Sequence, residues 1–318
     1  MNTIVKRTAI AALASISIVF SGASARAEDF INILTGGTSG VYYPLGVALS
    51  KIYGDKIKDV RTQVQATKAS VENLNLLQQG RGEIAFALGD SVKLAWEGNK
   101  EAGFKAPLKK LRGIAAIYPN YIQIMASKES GIKTIADFKG KSLSVGAAKS
   151  GTELNARAIL AAAGLSYDDL GKTEYLPFAE SVELMKNRQI DATLQSAGLG
   201  VSSFKDLAAS VDVQMVAVPA DIASKLGSPY ITATIPAGTY QGQDAAVPTV
   251  AVVNFLVTNS DVSDEMAYQM TKQLFENLPT LTAAHKAAAQ IDIKNALKGM
   301  PIPLHPGAER YYKEKGLL

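Results

Sequence analysis

The chain has 318 residues, of which 47% are hydrophobic, 19% charged and 7% aromatic, as is typical of a folded protein rather than a disordered one. It contains no cysteine and only two histidines, which excludes disulfides and cysteine nucleophiles and leaves few ligands for a zinc enzyme. At about 150 residues per domain, the length predicts two domains, each large enough for its own hydrophobic core.

The first 27 residues have the pattern of a secretory leader. Lys6 and Arg7 precede an apolar run over residues 9–20, and Ala25-Arg26-Ala27 fits the small residues before a cleavage site. The run is shorter than the roughly 20 residues of a transmembrane helix, although an uncleaved membrane anchor is the alternative interpretation. Without a cysteine for lipid attachment, we expect a freely soluble protein that is exported to the periplasm.

Removal of the leader changes the charge balance. Its three basic residues, taken from the total of 33, leave 30 basic residues against 29 acidic ones. A nearly neutral chain without clusters of Lys and Arg does not present the surface that nucleic acids require, so we expect no nucleic-acid partner.

Behind the leader, strand and helix signals alternate along the chain. Short apolar or alternating runs predict strands at 30–34, 60–66, 83–88, 142–145, 190–194, 213–218 and 249–257. Helical spacing predicts helices at 41–53, 70–80 with Ser70 as N-cap, from 90 onward, 153–163, 181–187 and 264–277. This alternation predicts mostly parallel sheets with helices on both faces.

Two stretches that contain Pro or Gly predict where the chain passes from one lobe to the other. The apolar runs 111–118 and 121–127 are separated by Pro119-Asn120, as if one strand leaves a first sheet and another enters a second. A return crossing is predicted in the Gly- and Pro-containing stretch 236–242. The predicted organisation is a leader at 1–27, a first lobe from 28–118 plus 240–318, and a second lobe from 119–239. Two such lobes can hinge over a cleft.

Glycine and hydroxyl residues occur where predicted strands turn into helices. They lie at 36–40, 67–70, 89–91 and 149–152. Ligands of open α/β sheets bind at the carboxyl ends of strands, and helix N-termini offer unpaired amides that hold anions without a basic side chain. The four loops therefore indicate an anion site, although each one alone is also explained as an ordinary helix cap.

The sequence does not match the common enzyme motifs. Gly140-Lys141-Ser142 resembles the tail of a phosphate loop, but Ile135 stands where that motif needs glycine, and there is no G-x-S-x-G sequence. His285 reads as part of a solvated helix face and His305 as a structural hydrogen-bonding residue. We expect no catalytic residue, metal or cofactor.

At the same loops the sequence resembles a known family. The run GGTSGVYYPLG at 36–46 resembles the opening of the TAXI-type solute receptors of TRAP (tripartite ATP-independent periplasmic) transporters. The resemblance continues through 70–74, 131–141, 150–153, 165–169 and 235–240, and ends with PIPLHPGAERYY at 301–312. These segments follow one another in order over nearly all of the chain behind the leader.

The resemblance implies a type II periplasmic-binding-protein fold, with two doubly wound α/β lobes around a hinged ligand cleft. It implies a monomeric receptor that binds glutamate, glutamine, 2-oxoglutarate or another dicarboxylate and delivers it to the small and large, or fused, TRAP membrane subunits. The chain departs from the commonest family pattern at Lys149, at 87–91 and at 195–197, which leaves the identity of the solute open.

Together the loops and the resemblance predict a binding site. We expect the ligand carboxylate to lie between the Gly37 turn and the helix that begins near Ser150, with further contacts from both lobes. Tyr118 has a competing interpretation as a buried hinge tyrosine, and Lys149 either faces the cleft or points to solvent. The predicted ligand-binding residues are Gly37, Thr38, Ser39, Tyr42, Thr67, Ser70, Asp90, Ser91, Tyr118, Lys149, Ser150, Gly151, Thr152 and Gln195.

Two other classes of protein are compatible with the same features. An exported hydrolase would convert its bound acid, whereas a carrier would release the acid unchanged. A surface antigen or adhesin would have neither a ligand nor a cleft.

Overall fold

The computed structural model describes residues 29–318, and the predicted leader lies outside the described residues. The alternation of strands and helices is confirmed. The strands are β1 (Asp29–Leu34), β2 (Val60–Gln65), β3 (Ile84–Leu88), β4 (Leu111–Ser127), β5 (Ser142–Ser144), β6 (Lys172–Glu174), β7 (Ala192–Ala197), β8 (Val213–Met215), β9 (Ile231–Ile235) and β10 (Val247–Asn259). The helices are α1 (Tyr42–Lys56), α2 (Ser70–Gln78), α3 (Gly89–Glu97), α4 (Gly151–Ala162), α5 (Phe178–Lys186), α6 (Ser202–Ser210), α7 (Ala220–Leu226), α8 (Asp264–Glu276), α9 (Leu278–Ala284) and α10 (Pro306–Glu314).

All ten strands join one twisted sheet. Their order is β2-β1-β3-β10-β4-β7-β5-β6, with β9 beside β10 and β8 beside β4. Strands β1, β2 and β3 are parallel to one another, as are β5, β6 and β7. We call the β1–β3 side, with its helices, the first lobe and the β5–β7 side the second lobe. The antiparallel strands β4 and β10 lie between them.

Strand β4 runs from one lobe into the other without a break, which corrects the predicted interruption at Pro119-Asn120. Among the strands, its first half pairs with β10, and its second half, from Tyr121, pairs with β7 and then also with β8. Pro119 lies opposite Val253, beside an irregularity in the pairing of β4 with β10. Because the ladder is already irregular there, a residue without an amide proton is tolerated inside the strand.

Strand β10 makes the return crossing, which corrects the predicted position at 236–242. That stretch is the connection between β9 and β10, closed by a hydrogen bond from the Gly238 amide to the Gln243 carbonyl. The change of partners occurs later, because residues 247–251 pair with β9 and residues 254–257 pair with β3. The lobe boundaries themselves remain a prediction.

Hydrophobic side chains cover both faces of the first lobe. Alternate residues of β3 point to opposite faces, so Ile84 and Phe86 pack under α1, α8 and α10, whereas Ala85 and Ala87 pack under α2 and α3. A third cluster joins β5 and β7 to α4 in the second lobe. These cores hold the parallel strands rigidly, so the loops at their carboxyl ends keep fixed positions.

The two histidines have structural contacts. His305 is almost completely buried; its Nδ1 accepts the Gly307 amide at 3.2 Å and its Nε2 lies 3.0 Å from the Val262 carbonyl, so the predicted structural role is confirmed. Burial lowers the pKa of His305, which favours this neutral ring. His285 is half-buried at the end of α9 and accepts the Ala287 amide, so it does not lie on a solvated helix face as predicted.

Among residues 29–318, no helix is both long enough and apolar enough to cross a membrane.

Candidate ligand-binding site

A cavity of about 110 Å³ lies between the two lobes, at the carboxyl ends of the parallel strands. We call it the interlobe cavity. This is the edge of an open α/β sheet at which ligands bind in general. The first lobe contributes Gly36, Gly37, Gly40, Val41, Tyr42, Thr67, Lys68, Ala69, Ser70 and Leu88 to its wall. The second lobe and β4 contribute Asn120, Ala147, Ser150, Gly151, Thr152, Pro177, Phe178, Ser196 and Ala197.

Five helices begin at this cavity. The residues directly before α1, α2, α3, α4 and α5 are Val41, Ala69, Leu88, Ser150 and Pro177, and all five line the wall. The first amides of a helix have no acceptor inside that helix, and the helix dipole adds partial positive charge at the same end. The convergence of five such ends makes the cavity electrostatically favourable for an anion.

The N-terminus of α4 is arranged to leave two amides open. Ser150 is the N-cap and its Oγ accepts the amide of Glu153 at 3.1 Å. The amides of Gly151 and Thr152 precede that bond and have no acceptor among residues 29–318. The Thr152 hydroxyl also makes no hydrogen bond within this range, although the residue is only 6% exposed. Helix α4 therefore offers three donors to a ligand at one place.

The cavity wall carries almost no charge. Lys68 is its one Lys, Arg, Asp or Glu residue, and the side chain of Lys68 is exposed rather than enclosed. Tyr42 donates its hydroxyl to Asn254 Oδ1 at 2.5 Å, and burial raises its pKa far above the ordinary range. Tyr42 is therefore neutral at any physiological pH. Main-chain amides and hydroxyls are the groups that this wall presents to an anion.

The lobes are in contact around the cavity, as in a closed receptor. The Glu72 amide at the start of α2 donates to the Lys149 carbonyl of the second lobe at 3.1 Å. On the other side, Ser202 Oγ donates to the Ser39 carbonyl at 2.8 Å. These hydrogen bonds join the lobes on two sides of the cavity.

A third link between the lobes is centred on Asp90, at the start of α3. Its Oδ2 accepts hydrogen bonds from Asn155 Nδ2 of α4 at 2.5 Å and from the Tyr230 hydroxyl at 3.0 Å. Its Oδ1 accepts the Ser91 amide at 2.6 Å. Burial raises the pKa of Asp90, and the donated hydrogen bonds oppose that shift. The second lobe thus supplies two of the four donors that compensate for burial of this carboxyl group, the other two being the amide and hydroxyl of Ser91.

Seven predicted site residues line the cavity. They come from three of the four predicted loops and from α1, so the loops do meet at one place as the sequence indicated. Ser70 is the first residue of α2 rather than its N-cap, and its Oγ accepts the Leu88 amide at 3.1 Å. These seven residues are Gly37, Tyr42, Thr67, Ser70, Ser150, Gly151 and Thr152.

Four of the other predicted residues are buried behind the wall. Asp90 and Ser91 do not line the cavity, although Leu88 directly before α3 does; both are buried, and Asp90 belongs to the link between the lobes. Tyr118 is 0% exposed on β4 and its hydroxyl has no partner among the described residues, which agrees with a buried hinge tyrosine. Gln195 is also 0% exposed and faces α6, where its Oε1 accepts the Ser203 hydroxyl at 2.6 Å.

The remaining three predicted residues lie on the surface beside the cavity. Thr38 is exposed and Ser39 half-buried, and neither lines the cavity, whereas the glycines of the same 36–40 turn do. Lys149 is exposed and has a positive φ of 65°, so its carbonyl rather than its ammonium group faces the first lobe. In the structure the Lys149 side chain points to solvent, which is the second of the two predicted alternatives.

Several residues of the cavity wall were not predicted from the sequence. Pro177 and Phe178 follow β6 and open α5, so they occupy the same position in the fold as the predicted loops. The junction between β6 and α5 has no glycine, serine or threonine. Its position directly after a strand is the one sequence feature that could have indicated a wall residue. Asn120 was read as part of a strand break, whereas its Nδ2 donates to the Ser196 carbonyl inside the continuous β4.

Comparison with known proteins supports the fold. The chain is similar to PhnD1 from Prochlorococcus marinus in complex with methylphosphonate, with a TM-score of 0.58, 12% identity and coverage of 92% of this chain and 100% of the other. It is also similar to the alkanesulfonate-binding protein SsuA from Xanthomonas axonopodis pv. citri bound to MOPS, with a TM-score of 0.51, 17% identity and coverage of 91% and 85%. A putative L-cystine ABC transporter protein from Listeria monocytogenes matches with a TM-score of 0.52, 13% identity and coverage of 84% and 98%.

These similarities confirm the predicted α/β fold of periplasmic binding proteins, consistent with two lobes around a cleft. At this level of identity they concern the fold alone. A family model, described as the NMT1-like family, matches residues 33–316, which is most of the chain. The protein is therefore a member of the NMT1-like family.

Proposed function

We propose that the protein is a periplasmic receptor that captures a small organic anion in the interlobe cavity and delivers it to a membrane permease. The observation that carries this proposal is the convergence of five helix N-termini on a cavity whose wall is almost uncharged. Such a wall binds an anion through dipoles and has no group in place to accept or donate a proton during turnover.

The hydrogen bonds of the α4 N-terminus can supply a large part of the binding free energy. Hydrogen bonds to a charged group contribute about 1.5–3 kcal/mol each, and a helix N-terminus adds about 0.3–1 kcal/mol. Three donors and the helix end therefore contribute about 5–10 kcal/mol, a range that includes the roughly 8 kcal/mol of micromolar binding. Closure of the lobes excludes water, and this strengthens the same interactions.

We propose a TRAP system of the TAXI type as the destination, because the sequence resemblance covers the loops that line the cavity. In such a system an ion gradient drives the permease, which has small and large subunits. Uptake measured with the gradient collapsed and ATP retained distinguishes this destination from an ATP-driven permease. Loss of uptake supports the TRAP assignment, and unchanged uptake contradicts it.

A receptor releases its ligand chemically unchanged, whereas an exported hydrolase would not. Recovery of an intact acid after prolonged incubation with the protein supports the receptor. A surface antigen or adhesin would not respond to any acid in a thermal-shift screen. Ligand at about 100 times its dissociation constant stabilises a fold by about 2.7 kcal/mol, so a receptor gives a clear rise in melting temperature.

Thr152→Val tests the proposed position of the ligand. Valine has nearly the same shape as threonine but no hydroxyl, so one of the three donors of α4 is lost while the helix remains. We expect the dissociation constant, measured by calorimetry, to rise about tenfold, the equivalent of about 1.4 kcal/mol. Thr280→Val, at an exposed position in α9, is the matched control and is expected to bind normally. Unchanged affinity of Thr152→Val would remove this residue from the site.

A further inference from the structure

The composition of the cavity wall restricts the ligand beyond its being an anion. We infer that the ligand is a small acid with a single negative charge, a short uncharged tail and no ammonium group. This inference rests on the proposed function and concerns the same cavity.

The first restriction excludes α-amino acids. An ammonium group that is enclosed in protein needs an anionic partner or several free acceptors, because burial of an unpaired charge is costly. The wall has no Asp or Glu residue. The nearest carboxyl group of the sequence-predicted site, Asp90, lies behind the wall, and its oxygens already accept four hydrogen bonds.

Several neutral acceptors of the wall are already engaged. The Ser196 carbonyl accepts Asn120 Nδ2 at 3.0 Å, and Asn120 Oδ1 accepts Asn254 Nδ2 at 2.8 Å. Ser70 Oγ accepts the Leu88 amide. At these three acceptors a bound ammonium group would compete with existing hydrogen bonds, and isolated hydroxyls such as that of Thr152 do not replace an anionic partner.

The second restriction excludes dicarboxylates. A second carboxylate needs its own donors or a basic side chain, and Lys68, the one basic residue of the wall, is exposed at its edge. The rest of the wall is largely apolar and includes Val41, Leu88, Ala147, Ala197 and Phe178. Such a surface favours a hydrocarbon tail, each methylene of which contributes about 0.8 kcal/mol when buried.

The third restriction is size. An apolar cavity of about 150 Å³ in another protein holds a benzene molecule. The interlobe cavity has about 110 Å³, so a ligand of about this size or slightly smaller fills it. Propionate and pyruvate fit within this volume, whereas glutamate and 2-oxoglutarate would extend beyond it. The dicarboxylates implied by the family resemblance are therefore not the ligands that this cavity favours.

Calorimetry on the full-length protein, after bound ligand is removed, tests the inference with matched acids. The probes are propionate, pyruvate, L-alanine, L-glutamate, 2-oxoglutarate and methanesulfonate. L-alanine differs from pyruvate at the α-carbon alone, so this pair isolates the effect of the ammonium group. Propionate and methanesulfonate distinguish a carboxylate from a sulfonate as the acid group.

We expect propionate, pyruvate or methanesulfonate to bind, and L-alanine and both dicarboxylic acids to bind at least tenfold more weakly than the best of them. Binding of L-alanine, L-glutamate or 2-oxoglutarate with equal or higher affinity would overturn the inference while supporting the proposed receptor. No heat and no thermal shift with any of the six acids would overturn the receptor itself, and the inference with it.

The variant Phe178→Ala distinguishes the effect of ligand size from the effect of ligand charge. Phe178 is partly exposed at the start of α5, so its truncation enlarges the cavity without opening the core. We expect the variant to gain at least tenfold in affinity for the bulkier monoacid 4-methyl-2-oxopentanoate and to gain nothing for L-leucine. A parallel gain for L-leucine would show that the wall tolerates an ammonium group, which overturns the inference.

Discussion

Asp90→Ala is expected to weaken ligand binding about thirtyfold or more, although Asp90 does not line the cavity. The carboxyl group accepts hydrogen bonds from Asn155 and Tyr230, both in the second lobe, and these bonds exist while the lobes are in contact. A ligand that binds the closed form has to supply any free energy that closure has lost. Each buried donor left without an acceptor costs about 1–3 kcal/mol, so two such donors cost at least about 2 kcal/mol.

Calorimetry of the variant against the best-binding acid measures this effect. Asp261→Ala is the matched control, because Asp261 pairs with Lys110 on the surface and exposed ion pairs contribute about 0–1 kcal/mol. The control is expected to bind like the unaltered protein. Normal affinity of Asp90→Ala would show that the link between the lobes contributes nothing to closure.

Gly151→Val is expected to keep the protein folded but prevent full closure. A Cβ atom at position 151 would lie 2.6 Å from Leu88 Cδ1 and 2.7 Å from Ser70 Oγ, both in the first lobe. Overpacking of this kind costs about 1–3 kcal/mol, which corresponds to a loss of affinity of about fivefold to about 150-fold. The contacts disappear when the lobes separate, so the melting temperature of the ligand-free protein is expected to change little.

Small-angle X-ray scattering with and without ligand measures closure directly. The unaltered protein is expected to become more compact with ligand, and Gly151→Val is expected to remain expanded. Gly54→Ala is the control, because its new Cβ would meet nothing closer than 3.7 Å inside α1. Full compaction of Gly151→Val at normal ligand concentrations would contradict the proposed closed form.

The sequence predicted the order of elements well because each element carries a local signal. The strand at Ile84–Leu88 is a continuous apolar run, and the helix that follows begins at a Gly-Asp-Ser sequence. Both crossings between the lobes were harder to locate, since a strand that changes its partners does not change its composition. Pro119 suggested a break that long-range pairing with β10 overrides.

The site was predictable to the extent that its loops contain glycine and hydroxyl residues. The Ser150 N-cap and the open amides after it follow from local sequence, whereas Phe178 has no polar signal. The role of Asp90 depends on Asn155 and Tyr230, which are 65 and 140 residues away in the chain. Partners at such distances are set by the fold, and no local pattern contains them.

The main claim is that main-chain amides, not basic side chains, hold the acid. A crystal structure of the protein with the tightest-binding acid of the panel tests it most directly. We predict closed lobes and acid oxygens within hydrogen-bond distance of the Gly151 and Thr152 amides. An acid group held by Lys68 or by any arginine, with those amides left free, would contradict the account.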